Sequence, residues 1–446
     1  MGTGLPEIRG TLTPYERLMS ATVADVAIFL YVTISVIFDD GSPPVQVARV
    51  LLILGAATDL TTKRFTRNRI QLWQCSFVAF AALSTIWAWN TENAWAITTT
   101  LCVNGICVVV IAYLIRGDPR RVKILLLGLV IAPPLLMLRV AASYGILAFF
   151  GTRATDTTSA NIVGMTAAFG FCLAYLGFSE RVFAARWVCG LFIALNLAVT
   201  VLSASRKALL IVGVAILAYA ILNRRSRAGA RFFKILLVCA VILIAYWLIM
   251  SVGILYELVG NRIQTMFDGF FGSGVVDAST STRIDLVDSG MEWFREKPWA
   301  GHGGDNFRYL MEIYNPRDNA YYAHNNFVEL LVDFGVIGLA LFYWMYAYII
   351  AAGVKRRRSL QPLEAMILSL MIALVINEYG FVSYYDRVFM LFVTVAWAVL
   401  CTGTFRSPGI VDPGSAQRSN KSVGLSERAL RWNSVQIPQA LPPKIR

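Results

Sequence analysis

The sequence predicts an all-α polytopic membrane protein. It has about twelve transmembrane helices and a large, partly helical loop outside the membrane between spans 9 and 10. Three observations predict this. Of 446 residues, 57% are hydrophobic and only 15% charged, whereas a soluble chain carries about 25% charged residues. Apolar runs long enough to cross ~30 Å of hydrocarbon recur along the chain. The connections between them alternate between basic and nearly uncharged.

In order, the runs are 20–38, 45–60, 70–89, 93–115, 121–148, 159–178, 184–203, 207–222, 231–250, 325–352, 362–379 and 385–404. The second and eighth are short. The fifth carries Pro133-Pro134, and paired prolines predict a kink or a break there. One set of connections (63–69, 116–123, the turn with Arg181 and Arg186, 223–234 and 355–358) holds 19 Lys+Arg. The short connections of the opposite set hold four: Arg153, Arg206, Lys207 and Arg387. Basic loops stay in the cytoplasm, so the first set is expected there, with both termini. An even number of spans keeps that alternation.

The net charge of +13 therefore reads as a topology signature. It is spread over separate turns, which argues against a nucleic-acid partner. Residues 1–19 lack an apolar core, so the first span is expected to serve as an uncleaved anchor. The seven cysteines lie in or near spans, with neither a disulfide framework nor a zinc spacing. Residues 405–446 are polar and are expected to form a disordered cytoplasmic tail.

Residues 251–324 form the only long polar connection, which the charge bias puts outside. Loops of this length are functional or disordered. This one carries order signals. The stretch STSTRIDLVDSGMEWFREKP reads as an amphipathic helix opened by a Thr282–Asp285 capping box. Its apolar stripe is Ile284, Val287, Met291 and Phe294, and Pro298 ends it. A Gly-rich turn, WAGHGGDNF, follows. Then comes YNPRDNAYY, whose tyrosines suit an interface or a sugar.

Both histidines of the chain, His302 and His324, lie in this connection. His324 falls where the chain re-enters the membrane, just before Asn325 and Asn326, either of which suits the cap of span 10. The N-terminal end of a helix carries partial positive charge and favours a neutral imidazole and nearby anions. Arginines gather on the same side: Arg206, Arg283, Arg49 about one turn inside span 2, Arg139 late in span 5, and Arg153. A guanidinium fork matches phosphate oxygens, and an arginine within a span faces a partner or a wet cavity. Together they predict an anion site at the outer face. The same residues admit plainer readings. Arg49 and Arg139 fit snorkelling equally well. Arg153 and Lys207 read as loop charges, Arg283 as an intrahelical ion pair with Asp285 or Asp288, His302 as a loop residue and His324 as a helix-mouth residue.

Three stretches sharpen the choice. Residues 280–307 (TSTRIDLVDSGMEWFREKPWAGHGGDNF) and 324–342 (HNNFVELLVDFGVIGLALF) resemble the signature of the O-antigen ligase and polymerase superfamily, which includes exopolysaccharide polymerases. That pattern is an Arg-led helix, a Pro and Gly-rich turn ending in Asn-Phe, then His-Asn, a Leu-like position (here Phe327-Val328), Glu329, and Gly335 with Gly338. LSASRKALL (202–210) is similar to the family's outer Ser-x-Ser-Arg segment.

The resemblance implies a metal-independent glycosyltransferase of the bacterial inner membrane, without cofactor, whose active site faces the periplasm. Its donor is a glycan on undecaprenyl diphosphate. Its acceptor is a sugar hydroxyl on lipid A–core, for a ligase, or on another lipid-linked glycan, for a polymerase. Membrane lipids and other polysaccharide-assembly proteins are further expected partners. His324 matches the general base. Arg206 and Arg283 match the residues that hold the donor diphosphate, and Arg139 and Arg49 extend that set. Asn325, Glu329, His302 and Tyr321 are the expected acceptor-side or supporting residues. The rival classes are a lipid-linked glycan transporter, which favours charges along a central path and internal repeats, and a structural scaffold of an assembly complex.

Overall fold

The computed structural model describes residues 22–60, 66–145, 154–155, 158–182, 185–203, 205–223, 278–314 and 322–405, with isolated positions at 229, 236, 247 and 251. Among these it is helical almost throughout. The helices are α1 (Val23–Ile37), α2 (Pro43–Leu60), α3 (Arg69–Ser84), α4 (Thr91–Ile115), α5 (Pro119–Tyr144), α6 (Ala160–Glu180), α7 (Arg186–Leu202) and α8 (Arg206–Leu222). Then α9 (Ala278–Glu296), α10 (Asn306–Tyr314), α11 (Asn326–Lys355), α12 (Pro362–Asn377) and α13 (Arg387–Cys401) follow. Two two-residue strands, β1 (Ala154–Thr155) and β2 (Thr158–Ser159), pair antiparallel. A single 3-10 turn, Glu378–Gly380, extends α12.

Among the described residues, six helices are long and apolar enough to cross a membrane: α2, α4, α5, α6, α11 and α12. Helices α1, α7 and α13 are shorter apolar helices. The expected run 231–250 lies outside the described residues except for positions 236 and 247, and the expected tail beyond 405 lies outside them entirely.

Local chemistry explains the helix starts. Thr22 and Asp25 form a capping box on α1, each side chain bonding the other's backbone N–H. Asn68 and Gln71 do the same for α3. Asp118 caps α5 ahead of Pro119 at the first helical position, and Asp386 caps α13. Of the kink or break expected at the paired prolines, the break does not occur: α5 runs helical through Pro133 and Pro134.

The helix ends that should share a side do meet. Arg121, at the start of α5, pairs with Asp25 of α1 at 3.1 Å and with Asp59 at the end of α2. All three are largely buried, so their charges are paired as burial demands. At the opposite end, Asp40 in the α1–α2 turn bridges Arg49 of α2 and Arg387 of α13.

Two expectations for α9 change. The helix begins at Ala278, so Thr282 lies inside it and is no N-cap. The Ser-Thr run is compatible with helix and is absorbed by it. The buried stripe is centred on Leu286 and Trp293, with Val287, Met291 and Phe294 at its flanks, whereas Ile284 is 52% exposed. Leu286 and Trp293 join Phe307, Leu310 and Met311 of α10, Ala323, and Val328 and Val332 of α11 in one apolar cluster.

Gly290 lets α9 approach that closely. A Cβ there would meet Val328 at 2.6 Å and Phe307 at 2.9 Å. Gly290→Val is therefore expected to destabilise the packing of α9 on α10 and α11 by about 1–3 kcal/mol through overpacking. Limited proteolysis of the detergent-solubilised protein, comparing cleavage between 278 and 323, measures this.

Helix α11 is interrupted, which the sequence analysis did not anticipate. Gly335 has φ 63 and ψ −167, a conformation essentially restricted to glycine. The turn 298–303 inserts into the gap. The carbonyls of Val332 and Asp333, released from the helix, accept from the N–H groups of His302 (2.8 Å) and Gly303 (2.9 Å). The N–H groups of Val336 and Ile337 donate to the carbonyls of Pro298 (2.9 Å) and Trp299 (3.2 Å). The break thus leaves these four backbone groups satisfied, as a buried helix interruption requires.

Candidate active site

His324 sits directly before α11, whose N-cap is Asn325. The Asn325 side chain accepts from the N–H groups of Phe327 (3.0 Å) and Val328 (3.3 Å). One turn further on, the buried Glu329 reaches back, and its Oε2 accepts from the Ala323 N–H at 2.7 Å. The chain on either side of His324 is therefore clamped to the first turn of α11. Between the clamps His324 adopts φ 52, which is uncommon for a residue with a Cβ. Among the described residues only two other non-glycines do so, Arg181 and Asp305, and Asp305 belongs to the same region. Backbone strain of this kind gathers at functional sites.

The His324 imidazole is half-buried, with the Tyr322 ring 4.0 Å away. Its Nδ1 is buried and has no hydrogen-bond partner. Burial pushes its pKa down, and the positive charges of Lys207 and Arg283 push it further, to about 3. The ring is consequently neutral at any ordinary pH.

Lys207 and Arg283 place their charges on this corner, and Arg206 places its charge on Lys207. Arg206 and Lys207 open α8, whose N-cap Ser205 bonds the Ala208 N–H. Arg283, on α9, faces the same space electrostatically: its charge acts on His324, Lys207 and Tyr322. The Lys207 ammonium donates to the Gly380 carbonyl and lies 5.8 Å from the Phe381 ring centroid.

On the other side of Tyr322 lies Arg308 of α10. Its guanidinium is 5.8 Å from the ring centroids of both Tyr322 and Tyr385 and donates to the Tyr385 hydroxyl at 3.0 Å. It also pairs with Asp305 at 3.3 Å. Asp333, one turn beyond Glu329 on α11, holds this corner in place. It accepts from the Asp305 N–H (3.0 Å), the Phe307 N–H (2.8 Å) and the Tyr384 hydroxyl (2.9 Å). Asn326 completes the frame, because its Oδ1 accepts from the Ser383 and Tyr384 N–H groups.

The structure thus gathers His324, Arg283, Asn325 and Glu329 around the start of α11, with two backbone clamps at His324 and the charge of Arg283 acting on its ring, while Arg206 reaches this corner through its neighbour Lys207. It does not bring the others there. Arg49 is buried against Asp40 and Asn104. Arg139 lies over the Phe38 ring and donates to the Ile37 carbonyl at 2.5 Å. Both therefore serve the α1–α2 turn. His302 is fully buried, with Nε2 2.9 Å from the Trp293 carbonyl and its ring edge-on to Trp89. It fastens the inserted turn. Tyr321 lies outside the described residues, and the ring packed at a tilt against His324 is its neighbour Tyr322. Lys207, read from sequence as a plain loop charge, is part of the site. Arg308 and Tyr385 were also missed, and only their positions beside Asn306-Phe307 and in the SYYDR connection mark them.

A family model described as O-Antigen ligase matches residues 189–343. The match spans Arg206, Arg283, His302 and His324 and leaves Arg49 and Arg139 outside it. A search of curated proteins found no match.

Proposed function

We propose that the chain is an inner-membrane glycosyltransferase of the O-antigen ligase type, working at the periplasmic face with both termini in the cytoplasm. It transfers a glycan from undecaprenyl diphosphate to a sugar hydroxyl of lipid A–core. The observation that carries this reading is a neutral, half-buried imidazole with an unpartnered nitrogen beside three cations. Such a set needs an anionic leaving group and a hydroxyl nucleophile.

The acceptor oxygen attacks the anomeric carbon of the donor. As that bond forms, the bond to the diphosphate oxygen breaks, and the hydroxyl proton passes to His324. The charge that grows on the lipid diphosphate falls among Arg206, Lys207 and Arg283, of which Lys207 is anchored by the Gly380 carbonyl.

An imidazole held near pKa 3 is a weak base. The bound diphosphate corrects this. Its negative charge offsets the Lys207 and Arg283 charges that depress His324, so the donor raises the basicity of the group that will use it. Arg283→Ala is accordingly expected to raise the donor KM about tenfold, the loss of one charge-assisted contact. Steady-state transfer assays with varied donor check this.

The reading is tested by the lipid-linked glycans that accumulate in cells carrying His324→Ala. Long polymers stranded on undecaprenyl diphosphate support the ligase. Single stranded repeat units instead identify a polymerase with the same chemistry. A wild-type profile removes His324 from catalysis and returns the weight to a transporter or scaffold.

A further inference from the structure

A cavity of about 410 Å³ opens beside the site, between the Ser35–Asp40 end of α1 and the starts of α4, α6, α10 and α13. Its volume lies in the range of small-ligand pockets, roughly 300–1,000 Å³. Its polar wall carries Asp39, Asp40, Asp305, Arg308, Tyr385 and Arg387. Apolar side chains of α4 and α6, such as Ile97 and Ile162, form the opposite wall. Ser35 also lines it, 2% exposed and with a hydroxyl that has no hydrogen-bond partner. A buried polar group in that condition marks a place where a ligand group completes the bonding.

The wall chemistry selects the ligand. Asp386 adds a fourth carboxylate to the wall, against the two arginines. An anion such as a diphosphate is repelled here and drawn to Arg206, Lys207 and Arg283 instead. Carboxylates accept from hydroxyl pairs, guanidinium groups donate to ring and hydroxyl oxygens, and apolar and phenolic surfaces cover C–H faces. That combination fits an uncharged sugar. From the cavity wall, Arg308 spans the rings of Tyr385 and Tyr322, and the Tyr322 ring packs at a tilt 4.0 Å from that of His324, so one side chain separates the cavity from the His324 corner.

We propose that this cavity binds the terminal sugar of the acceptor glycan and delivers its hydroxyl past Arg308 to His324, while the donor diphosphate occupies the cationic corner on the other side of the ring. The assignment rests on the transferase reading for its direction, but not for the binding itself.

Two end-labelled oligosaccharides serve as probes for the protein in lipid nanodiscs. One is the repeat-unit glycan released by mild acid from the host's own undecaprenyl-linked pool. The other is the core oligosaccharide released from its lipopolysaccharide. One of them is expected to bind, and which one does so separates a polymerase acceptor from a ligase acceptor. Thr100→Trp, which fills the cavity, and Asp39→Asn, an exposed wall residue, are expected to weaken that binding about tenfold, with Arg283→Ala within about twofold of wild type. In transfer assays the same cavity variants raise the acceptor KM and leave the donor KM unmoved. Should Thr100→Trp fail to fold, Asp39→Asn carries the test. The proposal is overturned if neither saccharide binds at millimolar concentration, if the folded cavity variants bind like wild type, or if Arg283→Ala weakens binding equally. A cavity that binds sugar in a protein that transfers nothing from the lipid diphosphate would sink the transferase reading and leave the cavity assignment standing.

Discussion

Gly335→Ala is expected to cost on the order of 3 kcal/mol or more and to abolish activity with it. Two effects add. The φ of 63 with ψ −167 is strained by about 1–3 kcal/mol for any residue with a side chain. The added Cβ would also collide with the Trp299 carbonyl and lie 2.6 Å from the Ala300 nitrogen, so the inserted turn must move, at about 1–3 kcal/mol more. That turn cannot shift alone, because His302 and Gly303 donate to the carbonyls released by the same break. It is also bonded to the α3–α4 connection, where the Trp89 N–H donates to the His302 carbonyl at 3.2 Å. The midpoint of thermal unfolding in detergent checks this. An unchanged midpoint would mean that the break in α11 is not built into the native state.

The second large effect is expected at the base. His324→Ala should lower turnover by about 10²–10⁴-fold, the contribution of a positioned general base, with little change in donor KM. The pH profile carries a sharper signature. A base must be unprotonated to act, so activity falls as pH drops through its pKa. The profile of kcat/KM reports the free enzyme, where the His324 pKa lies at about 3. This residue therefore causes no loss between pH 8 and pH 5. The profile of kcat reports the loaded enzyme, in which the diphosphate offsets the neighbouring cations and the pKa is higher. The acidic limb of kcat is thus expected at higher pH than that of kcat/KM. Arg283→Ala, by removing one of the cations that depress the free-enzyme pKa, should narrow the gap. Coincident limbs in the wild type would contradict the idea that the donor tunes the base.

Some of this site was legible in the sequence because its signals are local. Asn325 before an apolar run marks a helix cap without reference to anything distant, and Pro298 marks the end of α9. His324 stood out as one of two histidines at a membrane boundary. Arg206 and Arg283 stand out in the sequence as cations near that boundary; the charge of Arg283 acts on His324 itself, and that of Arg206 on the adjoining Lys207. Arg49 and Arg139 looked equivalent by that criterion. What separates them is Asp40 and the Ile37 carbonyl, contacts that depend on how the turn after α1 folds back. The interruption of α11 left almost no trace. A glycine in an apolar helix is ordinary, and hydropathy continues undisturbed across it. The bonds that stabilise the break come from a turn more than thirty residues earlier. Lys207 was misread for a similar reason. Its setting is made by α9 and the Gly380 carbonyl, neither of which is near it in the chain.

The break in α11 also decides where this protein can be cut and rejoined. Val328 and Val332, on the first half of α11, pack into the cluster formed by α9 and α10. Asp333 and Glu329, from the same half, hold the backbone at Phe307 and Ala323. The first nine residues of the helix, Asn326–Phe334, therefore belong mechanically to the α9–α10 layer, and the bundle proper resumes after Gly335. A chimera that exchanges the α9–α10 layer between related chains should be joined at that glycine. A junction at His324, where hydropathy would put it, separates the apolar cluster from two of its members and the inserted turn from its acceptors.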